Sequence, residues 1–144
     1  MQRSRARWHD RSHDDGRLAS AMAFSYVIDH SRRFARVTLS GPVHGHEIAA
    51  TMEALYQDPN WVAGFAILWD AMELTELLLD RPDLPLFVEI QKKYVAAHPS
   101  REIILVQRPL DVAMAQMYAL FMKTAAHKVF VCRSEEKANE LLEQ

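Results

Sequence analysis

Four short apolar runs constrain this chain most: FARVTL (34–39), FAILW (65–69), EIILVQ (102–107) and KVFVC (128–132). Between them lie segments whose apolar residues recur with the period of a helix. Strands that alternate with helices need covered faces, and they favour a mainly parallel sheet with helices packed on it. Phe24–Ile28 precedes these runs as a further short strand, and the polar turn at 29–33 makes it a β-hairpin with Phe34–Leu39. Ser40-Gly41-Pro42 then reads as a strand break.

The first helix is expected from His44 to Gln57, with Ile48, Met52, Leu55 and Tyr56 on one face. Asp58-Pro59 stops it. Phe65–Trp69 is apolar throughout, as a strand buried on both faces would be. A loop from Asp70 leads to a second helix over Pro85–Ala97, with Leu86, Ile90, Tyr94 and Ala97 as its stripe. A third helix over Leu110–Lys123 carries Leu110, Met114, Met117 and Phe121 at helical spacing. Ser134 caps the last helix, with Glu135 and Glu136 in the turn where the dipole favours anions. The expected fold is therefore a single α/β domain of order β-β-α-β-α-β-α-β-α, with a mainly parallel five-stranded sheet and right-handed crossovers.

The chain has 144 residues, 49% hydrophobic and 25% charged, enough to bury a core without disulfides or metal. Its formal net charge of -2 gives no signature of nucleic-acid binding. A single cysteine, Cys132, excludes an intrachain disulfide and fits a cytoplasmic setting. No apolar run approaches the ~20 residues that span a bilayer.

Residues 1–21 differ from the rest. Five arginines face three aspartates there, a net +2 that leaves -4 elsewhere. The segment lacks apolar periodicity, so disorder is expected. Met22 begins structured-looking sequence, so residues 22–144 are taken as the domain and Met22 as the natural start.

The stretches VTLSGPVHGHEIAATMEAL, DPNWVAGFAILWDAMEL, EIILVQRPLDVAMAQMYALF and VFVCRSEEKANELL, in this order, resemble the SpoIIAA-like family of small bacterial proteins. The resemblance covers Phe24 to Leu142 and implies kinship with STAS domains and a fold shared with CRAL-TRIO lipid carriers. In phosphorylated STAS antagonists, an Asp at the end of the third strand precedes the Ser or Thr that acts as a phospho-switch. Asp70 matches that Asp, but Ala71 and Met72 follow it and the nearest hydroxyl is Thr75. The resemblance thus implies the fold without the usual switch, and leaves Thr75 as a displaced phosphosite or an ordinary loop residue.

The HGHE stretch is the most chemical-looking cluster. His44, His46 and Glu47 are residue types that bind zinc or iron, but at a helix start the two histidines point apart, and the i, i+4 pair of HExxH is missing. The simpler reading is an N-cap at His44 with Glu47 at N3, an imperfect capping box. No Gly-rich phosphate loop and no nucleophile elbow occur. Cys132 lies in an apolar strand and reads as a small buried hydrophobe.

Two stretches carry more apolar surface than their elements require. Met117, Tyr118, Phe121 and Met122 span more than one face of the third helix. They are either core or a ligand and partner surface. Leu77, Leu78 and Leu79 form a lid, a dimer interface or a packing layer on the second helix. The leading expectation is a non-catalytic, STAS-like regulatory module with a protein partner or a homodimer, and with no cofactor. Asp70, Met72, Glu73, Thr75, Leu77, Leu78, Met117, Tyr118 and Phe121 are its candidate contact surface. The first alternative is a carrier of a small apolar ligand or lipid, which needs a cavity of roughly 300 Å³ or more. The second is an enzyme or metal protein built on His44, His46, Glu47 or Asp70.

Overall fold

The computed structural model describes the backbone of residues 3–7 and, in full, residues 24–95, 98–123 and 127–144. Its elements are β1 (Arg3–Arg7), β2 (Phe24–Asp29), β3 (Phe34–His44), α1 (Gly45–Tyr56), β4 (Ala66–Leu78), α2 (Asp83–Val95), β5 (Ser100–Leu105), α3 (Pro109–Met122), β6 (His127–Cys132) and α4 (Glu135–Leu142). One sheet contains all six strands in sequential order. β1–β2 and β2–β3 are antiparallel, and β3–β4, β4–β5 and β5–β6 are parallel. The five expected strands are β2 to β6, in a mixed sheet. Within the tail expected to be disordered, the backbone of Arg3–Arg7 pairs along the edge of β2 from Arg3↔Asp29 to Arg7↔Ser25. An unpaired edge offers backbone donors and acceptors to a segment of almost any composition, which is why side-chain periodicity did not reveal it. The rest of the expected tail, residues 8–21, and Met22 lie outside the described residues.

Sequential strand order and crossovers of one hand put successive helices on one face. Accordingly, α1, α2 and α3 share a core with Ile28, Val37, Ile67 and Trp69. α4 follows the last strand and closes the other face through Ala138, Leu141 and Leu142, against Leu68, Ile103, Leu105 and Cys132. Cys132 is a buried free thiol, and burial raises its pKa.

Three sequence expectations change. β3 does not break at Ser40-Gly41-Pro42, and β4 does not end at Trp69. The two run on as a parallel ribbon to His44↔Leu78, with register shifts between Thr38 and Ser40 and between Gly41 and Pro42. Gly41 has φ +68°, a left-handed conformation that glycine adopts without strain, and Pro42 is tolerated beside the irregularity because ladder bonding is already interrupted there. Second, Ile90 of the expected α2 stripe is buried and Tyr94 half-buried against the core, but Leu86 is exposed, and Phe87, Gln91 and Val95 complete the buried side. Ala97 lies outside the described residues. Third, the expected stripe of α3 faces outward: Leu110, Met117 and Phe121 are 64%, 45% and 61% exposed, while Asp111, Ala115 and Met122 are buried.

Candidate functional site

The β3–β4 ribbon extends past β5, whose pairing with β4 stops at Asp70↔Leu105. Helices α1, α2 and α3 flank the extension and leave an apolar chamber of about 280 Å³. Met52 of α1, Trp69 and Leu74 of β4, Phe87 of α2, and Met114 and Ala115 of α3 contribute to its wall. Leu77 and Leu79 line it as well. Unbranched, polarizable methionine side chains among the leucines make the apolar wall adaptable.

Beneath the chamber lies a buried polar network that the sequence did not announce. Glu102, 1% exposed, accepts three hydrogen bonds. Trp69 Nε1 donates to Oε1 at 2.8 Å, and Tyr118 Oη donates to Oε2 at 2.7 Å. His127 Nε2 lies 2.7 Å from the same Oε2 and is the donor, since the carboxylate can only accept. Ser100 Oγ is 2.5 Å from His127 Nδ1. Gln91 Nε2 donates to Tyr118 Oη at 3.3 Å, and Tyr56 Oη donates to Gln91 Oε1 at 2.5 Å. The chain of contacts thus ties α1, α2, α3, β4, β5 and β6 together. Burial pushes the Tyr118 and Tyr56 hydroxyls well above the usual tyrosine pKa, and the negative charge of Glu102 adds to it.

Ser100, His127 and Glu102 are the residue types of a hydrolytic triad, but all three are buried and none lines the chamber. A nucleophile needs a face that a substrate can reach. The arrangement acts instead as a hydrogen-bonded cross-link. Two signals in the sequence bear on it: Glu102 shares the parity of the core-facing Ile104 in β5, and His127 opens β6 opposite Ser100. The pairing itself arises only from the parallel register.

The sequence candidates do not gather in one place. Asp70 lies on the α4 face, away from the chamber. Its Oδ2 takes Arg36 Nη2 at 2.7 Å, its Oδ1 takes the Met72 N–H at 3.1 Å, and Arg36 also bonds Glu135 of α4. Asp70 is therefore a mid-strand anchor rather than a residue at a strand end. Met72 packs toward the α4 core. Glu73 and Thr75 are exposed on the ribbon, and Leu78 is half-buried. Leu77, Met117 and Tyr118 line the chamber, while Phe121 does not.

His44 is the N-cap of α1, and its N–H donates to Glu47 Oε1 at 2.9 Å. The two histidines do not point apart as expected: the His44 and His46 rings stack with centroids 5.3 Å apart. Among the described residues, no three His, Cys, Asp or Glu side chains gather as a metal site. Gly45 has a packing reason: a Cβ there would overlap the Asp83 carboxylate.

No family model matches the chain, and no curated protein does. A solved structure does match: an uncharacterised protein from the DUF3478 family with a SpoIIAA-like fold, from Shewanella loihica PV-4. The two are 17% identical, the alignment covers 99% of this chain and 96% of the other, and the TM-score is 0.50. The fold of this chain is thus SpoIIAA-like, as its order of elements suggested. Among the described residues, no helix is long and apolar enough to cross a membrane.

Proposed function

We propose that this chain is a non-catalytic binding module whose chamber takes a small, mainly apolar ligand. The observation that carries the reading is the chamber itself: about 280 Å³ of space walled mainly by apolar side chains. Close packing is the rule inside proteins, and a void of this size forfeits dispersion contacts that a guest restores. The SpoIIAA-like fold is compatible with such a module but does not choose the ligand.

The test is uptake of a small neutral apolar fluorophore, N,N-dimethyl-1-naphthylamine, by the full chain. Enhanced, blue-shifted emission is expected with the wild type. It should disappear in Met114→Trp, which fills the chamber from the half-exposed side of α3. No uptake by the wild type, or equal uptake by the variant, overturns the reading.

A second reading, self-association, rests on a separate observation. Leu110, Ala113, Met117 and Leu120 recur at intervals of three, four and three residues, and all are exposed. That spacing is the seam of a helix that packs on another helix. With Phe121 beside it, the stripe is a candidate contact between two copies of the chain.

A further inference from the structure

The chamber is not sealed on its α3 side. Met114 and Met117 belong to its wall, yet Met114 is half-buried and Met117 is 45% exposed. Leu77 and Leu79 of the wall are half-buried as well. The mouth therefore has an apolar rim.

Helix geometry carries that rim further. Leu110, Met114, Met117 and Phe121 stand at i, i+4, i+7 and i+11, one row along α3. The middle two line the chamber, and the outer two are exposed beyond it. The row is about 16 Å long at the helical rise. No charged side chain interrupts it, since the sequence carries none between Asp111 and Lys123. A solvent-facing row on a helix is ordinarily polar. This one continues the chamber wall without a break, so a guest that leaves the chamber past Met117 stays on apolar surface. A chamber of about 280 Å³ holds a chain of roughly ten methylenes at interior packing density. Any longer chain has to leave it.

Resting on the apolar-ligand reading, we infer that the guest is a chain amphiphile longer than the chamber. Its tail fills the chamber, its next carbons lie over Met117 along the α3 row, and its polar head stays in water. The chamber anchors the guest, and the row sets the preferred chain length.

The experiment displaces bound N,N-dimethyl-1-naphthylamine from the full chain with neutral n-alkyl maltosides of eight, ten, twelve and fourteen carbons, each below its critical micelle concentration. The bulky disaccharide head stays outside the chamber. Affinity should rise roughly fourfold to tenfold for every two carbons through the whole series, up to about the gain of burying methylenes. Leu110→Ser or Phe121→Ser, at whichever end the chain runs, should level the series beyond ten carbons and leave the eight-carbon probe unchanged. Both side chains are exposed, so the fold loses little. A wild-type series that levels at ten carbons, or long-probe binding untouched by both variants, overturns the inference while the apolar chamber stands. Uptake of the fluorophore without displacement by any maltoside does the same. If neither fluorophore nor maltosides bind, the apolar-ligand reading falls as well. Leu110 and Met117 also belong to the α3 seam, so the fourteen-carbon probe should dissociate any dimer seen by sedimentation velocity. A dimer that persists at saturating probe assigns the row to a second copy and overturns the inference. The wild-type series decides even if both variants fail to fold.

Discussion

The indole N–H of Trp69 donates to Glu102 Oε1 over 2.8 Å, from the middle of β4 to its neighbour β5. Both residues are buried, at 6% and 1% exposure. The bond makes one residue serve two purposes: the ring of Trp69 is part of the chamber wall, and its N–H helps hold a carboxylate inside the core. Tyr118 repeats the arrangement from α3, with its ring on the chamber and its hydroxyl on Glu102. Polar satisfaction and the shape of the chamber are therefore coupled through two side chains.

Glu102→Leu is expected to destabilise the fold strongly. The change removes the acceptor shared by Trp69, Tyr118 and His127 and strands three buried donors. Removal of one side of a buried charged network costs about 3–5 kcal/mol. Urea unfolding followed by circular dichroism measures it, and a loss below about 1 kcal/mol would contradict the role given to Glu102.

Alkaline pH should weaken the fold through Tyr118 and Tyr56. Burial, reinforced by Glu102, raises both hydroxyls well above their ordinary pKa of 10.0. A group whose folded pKa is raised favours the folded state below its unfolded pKa, and that contribution is lost as pH rises through the folded value. Stability attributable to these tyrosines is thus constant below about pH 10 and declines above it. Tyr118→Phe should flatten the decline, at some expense in neutral-pH stability because Glu102 loses a donor. Thermal midpoints across pH 8 to about 11.5 test this, and an identical slope in both proteins would refute it.

Leu120→Glu should leave the fold intact and abolish self-association through α3. Leu120 is 77% exposed, so its replacement costs the monomer little. Sedimentation velocity over a hundredfold range of concentration is the measurement. A wild type that stays monomeric throughout, or a variant that still dimerises, removes the α3 seam from consideration.

The legibility of the chain divides along the range of the interactions. Local pattern was enough for the order of elements, because strand and helix periodicity are properties of adjacent residues. It was enough for the start of α1, where Glu47 reaches back three residues to the His44 N–H. Ser134 likewise accepts from the Lys137 N–H at the start of α4. It failed on α3. The spacing of Leu110, Met114, Met117 and Phe121 reads as a buried stripe, and in the fold most of it faces outward. A helix that is apolar on more than one face fixes no rotation about its own axis, so the choice falls to its neighbours. Here the Tyr118–Glu102 bond and the packing of Ala115 set that rotation.

The site was less legible still. Asp70 drew attention because an apolar run ends there, yet β4 continues through it; its partner Arg36 lies 34 residues away, and Glu135, which Arg36 also contacts, lies 99 residues from Arg36. Glu102 and His127 are 25 residues apart and meet only across the β5–β6 register. Asp111, in the first turn of α3 beside Arg108, passed unnoticed in the sequence, and its burial shows only in the fold. By itself, then, the sequence determined the α/β order, the helix caps and the amount of apolar material to be buried, all of which depend on near neighbours. Tertiary structure decided which face of α3 is covered, where the chamber opens and which carboxylates are satisfied. Those outcomes depend on residues brought together from distant elements, and no local period encodes such a meeting.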